Sequence, residues 1–293
     1  MRELLAVNFY PAANLLGEGP MWHAERKTCF WVDINRHSFF EYSPQSKHLE
    51  SWVVDGPVSL VVEGIGDELF LGVHEGVSRF HIPSGTSQLV TDLERNWENH
   101  RCNDGAVDCM GRLWVGTTDR DHIPNAGTLY CVEKDSPLQE KITNVTISNG
   151  MVWSPDNKYL YFIDTVTSAV SGYHFDPGTG KILFDKVVVR IPESMGFPDG
   201  MTIDEEGMLW IALWGGFGVG RWNPADGKLL EFVKVPAPHV SSCVFMGENL
   251  NELLISTARK NMSAEDILRF PQSGDLFSVR THTRGLKAFQ CLL

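Results

Sequence analysis

A repeated unit constrains the fold of this chain more than any other feature. The unit is a polar residue, a short apolar strand, an Asp/Gly turn and a strand rich in aromatic or aliphatic residues, and its clearest copy is Arg101–Gly116. Asn103 precedes Trp114 by eleven residues, and Asp199 precedes Trp210 by the same spacing. Six copies begin at successive polar residues, namely Glu18, Ser59, Asn103, Asn149, Asp199 and Ser242.

The spacing between copies indicates propeller blades. Successive copies are 41, 44, 46, 50 and 43 residues apart, which matches a four-stranded blade. The second strands are β-branched and aromatic, and helical periodicity is nearly absent apart from a capping pattern at Ser263. The sequence therefore predicts an all-β fold, a single six-bladed β-propeller forming one domain over residues 1–293. We expect the segment before Glu18 and the strand near Gly274–Arg280 to join the first and last blades.

The charge balance argues against polyanionic partners. With 25 basic and 37 acidic residues, the net charge is −12, so we expect neither nucleic acid nor an anionic membrane as a partner. The six cysteines form no C-x-x-C pair, the N-terminus lacks a signal-peptide core, and no apolar run reaches the ~18 residues of a membrane span. These features predict a cytoplasmic protein with reduced cysteines, either a monomer or a weak oligomer.

The polar starting residues predict a metal site. In a propeller the first residues of each inner strand face the central channel, so the six positions are expected to form a ring at one mouth. Carboxylate and carboxamide oxygens held on rigid strands suit a divalent cation. Asn-Gly and Asp-Gly pairs are also common hairpin turns, which is the alternative interpretation, although turns alone would recur in every copy. The four members of the ring with carboxylate or carboxamide side chains are Glu18, Asn103, Asn149 and Asp199.

The motifs around these residues resemble the regucalcin/gluconolactonase family of metal-dependent sugar lactonases. The resemblance runs nearly end to end, and it depends on the joint occurrence of Gly-Glu-Gly-Pro, Arg-x-Asn-Asp, Ser-Asn-Gly and Pro-Asp-Gly. The stretch Trp214–Phe217 looks closer to bacterial aldonolactonases than to animal regucalcin. The segments that carry the resemblance are Leu16–Trp22, Trp31–Ile34, Arg101–Asp108, Gly116–Thr117, Gly127–Tyr130, Ser148–Gly150, Ser154–Asp156, Pro198–Gly200 and Ser256–Arg259.

This resemblance implies one divalent metal ion, either Ca, Mg, Mn, Zn or Fe. Its ligands would be Glu18, Asn149 and Asp199, with Asn103 beside it as a further ligand or a substrate contact. The resemblance also implies that Arg101 binds the substrate, for which its rigid fork of donors is suited. A surface salt bridge is the alternative role for Arg101.

Three more residues are candidates for substrate binding. The family often carries an acidic residue after the Gly-Thr pair, and both Asp119 and Asp121 qualify, so the choice between them stays open. Trp214 is the tryptophan that we expect at the pocket. The histidines His122 and His239, like the others, lack a catalytic motif, and a lone histidine is more often structural.

The predicted reaction is hydrolysis of a pentono- or hexonolactone to the aldonic acid. A divalent ion acts as a Lewis acid on the lactone carbonyl and lowers the pKa of bound water. Asp199, as both ligand and carboxylate, is the candidate to accept the proton of that water. Two alternatives remain: a non-catalytic propeller that binds divalent cations as a regulator or serves as an interaction platform, and a metal-dependent phosphotriesterase or aryl esterase.

Overall fold

Six antiparallel sheets surround a central channel in the computed structural model, which describes residues 2–93 and 98–293. The first strand of each sheet lines the channel, and the later strands follow outward in chain order. This arrangement confirms the predicted all-β, six-bladed propeller. Among the described residues no helix is long and apolar enough to cross a membrane.

The strands follow one another blade by blade. Two N-terminal strands are β1 (Arg2–Leu5) and β2 (Val7–Tyr10). Blade one contains β3 (Gly17–His23), β4 (Thr28–Asp33), β5 (Ser38–Tyr42) and β6 (Leu49–Val53). Blade two contains β7 (Leu60–Glu63), β8 (Glu68–Val73), β9 (Gly76–His81) and β10 (Thr86–Asp92). Blade three contains β11 (His100–Val107), β12 (Leu113–Asp119), β13 (Gly127–Val132) and β14 (Gln139–Val145).

The second half of the chain repeats the pattern. Blade four contains β15 (Ser148–Trp153), β16 (Tyr159–Asp164), β17 (Ala169–Asp176) and β18 (Lys181–Arg190). Blade five contains β19 (Phe197–Ile203), β20 (Leu209–Trp214), β21 (Gly218–Asn223) and β22 (Lys228–Lys234). Blade six contains β23 (Val240–Met246), β24 (Glu252–Thr257) and β25 (Leu276–Arg280). The connections hold the helix α1 (Ala264–Arg269), which Ser263 caps as predicted, and short 3-10 turns at Ile34–Arg36, Thr165–Thr167 and Glu193–Met195.

The N-terminal segment closes the ring. Strand β2 pairs antiparallel with β25 and becomes the outer strand of blade six, so this blade combines strands from both ends of the described chain. Strand β1 adds in parallel to β22 of blade five. The sequence correctly predicted that these two segments come together, and the structure shows which strands pair.

Apolar side chains fill each interface between neighbouring blades. The core divides into six clusters of buried residues, and each cluster draws on two adjacent blades. Aromatic rings meet across these interfaces: Trp114 and Trp153 have ring centroids 5.7 Å apart, as do Trp210 and Phe245. The tryptophans of the repeat are thus packing residues, and they hold the inner strands in fixed positions around the channel.

The C-terminal segment crosses the far end of the channel. The backbone of residues 284 and 285 bonds to Glu205 and Leu250 in blades five and six, while Cys291 donates to the carbonyl of Glu63 in blade two at 2.7 Å. Leu286 and Phe289 lie between these anchors and line the lower channel. The C-terminal segment therefore covers this mouth of the channel, and it does not cover the opposite mouth.

A buried aspartate explains the Asp/Gly turn of the repeat. In blade three, Asp108 accepts backbone N–H bonds across the turn, the Trp114 indole N–H at 2.9 Å and the Arg112 Nε at 2.7 Å. In blade five, Asp204 repeats the arrangement with Trp210 at 2.9 Å. The spacing of aspartate and tryptophan in the sequence thus reflects one hydrogen-bonded device in both blades.

Replacing Asp108 by alanine is expected to lower the free energy of unfolding by ~3–5 kcal/mol, because the buried Arg112 guanidinium loses its ion-pair partner. Urea denaturation monitored by tryptophan fluorescence measures the change. Asp226→Ala is the matched control, since it removes an exposed ion pair with Lys228 and should leave the denaturation midpoint unchanged. An Asp108→Ala midpoint equal to that of the control would contradict the assignment.

Candidate active site at the open mouth of the channel

A cavity of about 330 Å³ opens at the uncovered mouth, a size typical of small-molecule sites. Its floor comes from the starts of inner strands and its rim from loops that follow the second strands of blades. The predicted residues that line it are Glu18, Arg101, Asn103, Asn149, Asp199 and Trp214. The structure therefore brings together all four predicted metal ligands, the predicted substrate-binding arginine and the predicted tryptophan.

Beta-bulges position the side chains of three floor residues. In β11, Asn103 and Asp104 together face a single partner residue, because the register shifts between Cys102 and Gly105. The same shift occurs around Asn149 in β15 and Asp199 in β19. A bulge changes the direction of the side chains and interrupts the regular hydrogen-bond ladder between the two strands. These residues lie within strands, so the interpretation of them as hairpin turns is wrong.

Glu18 reaches the cavity in a different way. It pairs regularly with Val32, and the bulge in β3 begins one residue later at Gly19, whose φ is +50°. The structural equivalent of Asn103 is therefore Gly19, which corrects the repeat alignment made from sequence by one residue. Because the glutamate side chain is longer and Gly19 adopts a left-handed conformation, the Glu18 carboxylate still reaches the cavity floor.

The predicted ring of six residues is incomplete. Ser59 precedes β7, which pairs with β8 without a register shift, and it does not line the cavity. Ser242 faces the channel below the floor instead. Blade two has no register shift between its first two strands, and in blade six the shift falls before Ser242, between Val240 and Ser242, so neither serine occupies the first position of a bulge as Asn103 does.

A chain of hydrogen bonds orients the two carboxamides. Asn103 Nδ2 donates to the Asn149 Oδ1 at 2.8 Å and to the Ser148 carbonyl at 2.6 Å. Asn149 Nδ2 donates to Thr165 Oγ1 at 2.7 Å, and this hydroxyl donates to the Pro198 carbonyl at 2.9 Å. Both amide NH₂ groups are thus committed to protein acceptors, and the Asn149 Oδ1, which accepts one hydrogen bond from Asn103, keeps a second lone pair for another partner.

Two carboxylates share the floor without a cationic partner in contact. Burial raises the pKa of Asp199 well above its usual value, and the negative charge of Asp104 raises it further. The pKa of Glu18 is also well above normal, first through burial and then through Asp199 and Asp104. Within residues 2–93 and 98–293, no lysine, arginine or histidine nitrogen lies within 4 Å of either carboxylate.

This donor set fits a divalent cation. Paired acidic groups that raise each other's pKa value are relieved by a bound positive charge. Among the described residues no three His, Cys, Asp or Glu side chains form a metal cluster, so the arrangement relies on two carboxylates supplemented by amide oxygens. Oxygen ligands of this kind are preferred by hard cations such as Ca²⁺, Mg²⁺ and Mn²⁺.

The cations of the cavity lie apart from these carboxylates. Arg101 is 9% exposed, its Nη1 donates to the Cys102 carbonyl at 2.9 Å, and burial lowers its pKa to about 10, so it stays protonated at neutral pH. Lys260, in the loop between β24 and α1, lines the rim and is half-buried. Burial, and then the nearby Arg101, lower the pKa of Lys260.

The predicted acidic residues at the end of β12 and just beyond it, Asp119 and Asp121, lie outside the cavity lining. Asp119 is buried, and its Oδ1 accepts the backbone N–H of Asp121 at 2.8 Å and that of Ile123 at 3.4 Å, which shapes the turn. Asp121 is exposed. The next residue, His122, does line the cavity, and burial followed by the charges of Lys260 and Arg101 lowers its pKa. The substrate-binding roles of Asp119 and Asp121 stay predictions.

An aromatic pair forms one wall. Trp214 lines the cavity and stacks on His239, with ring centroids 4.3 Å apart and planes only 4° from parallel. A flat, partly apolar surface of this kind suits the C–H face of a sugar ring.

Several lining residues were not predicted from the sequence, and Thr165, His122 and Lys260 are three polar examples. Thr165 follows β16 and carried no motif, and His122 was set aside because it stands alone in the sequence. Lys260 directly follows the Ser256–Arg259 segment that contributed to the family resemblance, so its neighbourhood was the available signal. Whether such residues face the cavity depends on the conformation of their loops, and the neighbouring sequence does not predict that conformation.

Residues 16–259 match the family described as the SMP-30/gluconolactonase/LRE-like region. The chain belongs to this family. Three similar proteins illustrate the range of SMP-30/gluconolactonase/LRE-like members. YvrE of Bacillus subtilis, named as a candidate sugar lactone lactonase, is 34% identical over 92% of this chain and 93% of its own. Human regucalcin is 31% identical, over 90% of each chain. The structure of Agrobacterium tumefaciens regucalcin, described as a calcium-binding protein, has a TM-score of 0.95 and 25% identity, with both chains fully covered.

Proposed function

We propose that this protein hydrolyses a sugar lactone, a pentono- or hexonolactone, to the aldonic acid with the help of one divalent metal ion. The observation that carries the proposal is the convergence of Glu18, Asn103, Asn149 and Asp199 on one cavity floor beside Arg101. A propeller that serves only as an interaction platform does not need converging carboxylates. The family supports lactone hydrolysis in general, since a named relative is a candidate sugar lactone lactonase.

The floor residues would hold the metal through the carboxylates of Glu18 and Asp199 and the amide oxygen of Asn149, with Asn103 as a further ligand or a substrate contact. When bound, a divalent ion supplies electrophilic assistance to the lactone carbonyl and acidifies water in the site.

Asp199 is the proposed proton acceptor. Its carboxylate lies on the cavity floor beside the other proposed ligands, within reach of water that adds to a bound lactone. As water adds to the lactone carbonyl, Asp199 takes the proton of that water. When the ring C–O bond breaks, the same carboxyl donates this proton to the departing ring oxygen. Asp199 is then a carboxylate again, as it was before the reaction.

The remaining residues bind and orient the sugar. Arg101 presents its free guanidinium N–H groups to the cavity and is suited to grip hydroxyl or carbonyl oxygens. Trp214 offers the flat wall, fixed by its stacking on His239. Because Asn103 and Asn149 are locked by the hydrogen bonds to Ser148 and Thr165, little reorganisation is needed when substrate binds.

A hydrolysis panel tests the proposal. The metal-loaded protein is assayed by proton release on aldonolactones with five and six carbons, and in parallel on paraoxon and an aryl acetate. Turnover of at least one aldonolactone well above the spontaneous rate supports the proposed function. Turnover of paraoxon alone would favour the phosphotriesterase alternative, and the absence of any turnover with measurable Ca²⁺ binding would favour the regulator.

A further inference from the structure

Two cations of the cavity, Arg101 and Lys260, form no ion pair in contact, although the more distant charges of Glu18 and Asp199 act on both. Neither Arg101 nor Lys260 has a carboxylate oxygen within 4 Å among the residues that the structure describes. The other deeply buried guanidiniums behave differently: Arg112 pairs with Asp108 at 2.7 Å, and Arg221 with Asp204 at 2.7 Å. An unpaired buried cation is costly, so its presence in a cavity points to an anion that arrives from outside.

Nearby acidic groups are otherwise engaged. Glu18 and Asp199 lie on the floor and are the proposed ligands of a dication, which neutralises their combined charge. Asp104 faces the lower channel and accepts the Gly105 backbone N–H at 2.7 Å. Asp119 is committed to backbone N–H groups, and Asp121 is exposed outside the cavity. With the floor carboxylates neutralised, the upper cavity carries the positive charges of Arg101 and Lys260.

From this arrangement we infer that the preferred substrate is a lactone that bears a second, free carboxylate, as lactones of aldaric and uronic acids do, and that Lys260 selects this group. The inference rests on the proposed lactone hydrolysis and narrows its substrate class. Lys260 lies in the loop after β24 and lines the cavity, so its ammonium is available to a carboxylate of the bound sugar. A carboxylate bound by a partly desolvated ammonium contributes more than a neutral hydroxyl at the same place.

A matched pair of lactones tests the inference. D-Glucaro-γ-lactone and D-glucono-γ-lactone share the ring and differ in whether the exocyclic end is a carboxylate or a hydroxymethyl group. The wild-type kcat/KM is expected to favour the carboxylate lactone by about 10- to 100-fold, the range of a charge-assisted hydrogen bond. Lys260→Met should remove most of this preference by lowering kcat/KM for the carboxylate lactone much more than for the neutral lactone, and Lys260→Arg should retain the preference.

Lys287→Met is the matched control. Lys287 is exposed at the opposite end of the channel, so the substitution makes the same change in net charge and side-chain shape without touching the cavity. It should leave the preference unchanged. An equal loss for both lactones in Lys260→Met would assign the lysine to the reacting carbonyl and overturn the inference, as would a wild-type protein that prefers the neutral lactone. A phosphorylated lactone that outperforms both would overturn the assignment of a carboxylate.

Binding of the open-chain acids separates this inference from the proposed function. Isothermal titration of metal-loaded protein should show D-glucarate bound about 10-fold or more tightly than D-gluconate, with the difference lost in Lys260→Met. This result would support selection of a carboxylate even if neither lactone were hydrolysed. The absence of hydrolysis would refute only the hydrolase assignment. Equal affinity for the two acids would overturn the inference while leaving lactone hydrolysis intact.

Discussion

Replacing Asp199 by asparagine is expected to lower kcat for lactone hydrolysis on the order of 10³-fold, because the variant keeps an amide oxygen for the metal but has no group to accept the proton of water. Asp199→Ala should remove the ligand as well and reduce turnover to the spontaneous rate. Proton-release assays give kcat, and metal titration by calorimetry gives affinity. The two variants together separate proton transfer from metal binding.

The folded state of these variants is checked by thermal unfolding. In the metal-free protein the raised pKa of Asp199 means that the folded state holds its proton to higher pH than the unfolded state, so stability falls as pH rises above the ordinary aspartate value of about 4. Asp199→Asn should weaken this decline and be at least as stable as wild type at neutral pH. The exposed Asp156→Asn serves as the control with unchanged kcat. An Asp199→Asn protein with full activity would exclude Asp199 as the base.

Removal of the metal is expected to abolish lactone hydrolysis and to lower the midpoint of thermal unfolding. Asp199 is buried and Glu18 is half-buried beside it, and without a cation their charges repel each other, so a ligand that binds only the folded state should stabilise it strongly. At a free metal concentration 100 times Kd the stabilisation is about 2.7 kcal/mol. Activity and melting temperature are measured after exhaustive chelation and after addition of Ca²⁺, Mg²⁺, Mn²⁺, Zn²⁺ or Fe²⁺ singly.

Glu18→Gln provides the comparison for metal removal. It keeps the size of the side chain but removes one negative charge, so it should weaken metal affinity, need more metal for half-maximal activity and show a smaller rise in melting temperature. Elemental analysis verifies that the chelated protein is metal-free. Full activity in a protein shown to lack metal would rule out the metal-assisted mechanism.

The repeat in the sequence predicted the fold because each blade is built from local signals. Alternating apolar residues, turn residues and the Asp108–Trp114 spacing specify one sheet, and six such sheets must close because each has two apolar faces to cover. The same signals located Asn103, Asn149 and Asp199 on the floor. The sequence did not predict the exact strand register. In β3 the bulge begins one residue after Glu18, whereas in the other three blades it begins at the polar residue itself, and no rule of spacing predicts this difference.

The sequence by itself determined the propeller, the family and the oxygen donors on the channel floor, because these depend on residues close together in the chain. Only the tertiary structure decided how the rim is built. Lys260 and His122 reach the cavity from loops of different blades, whereas Asp119 turns its carboxylate into the backbone. These positions depend on how the six blades pack around the channel. Packing determines where each loop lies through contacts between residues that are far apart in the sequence.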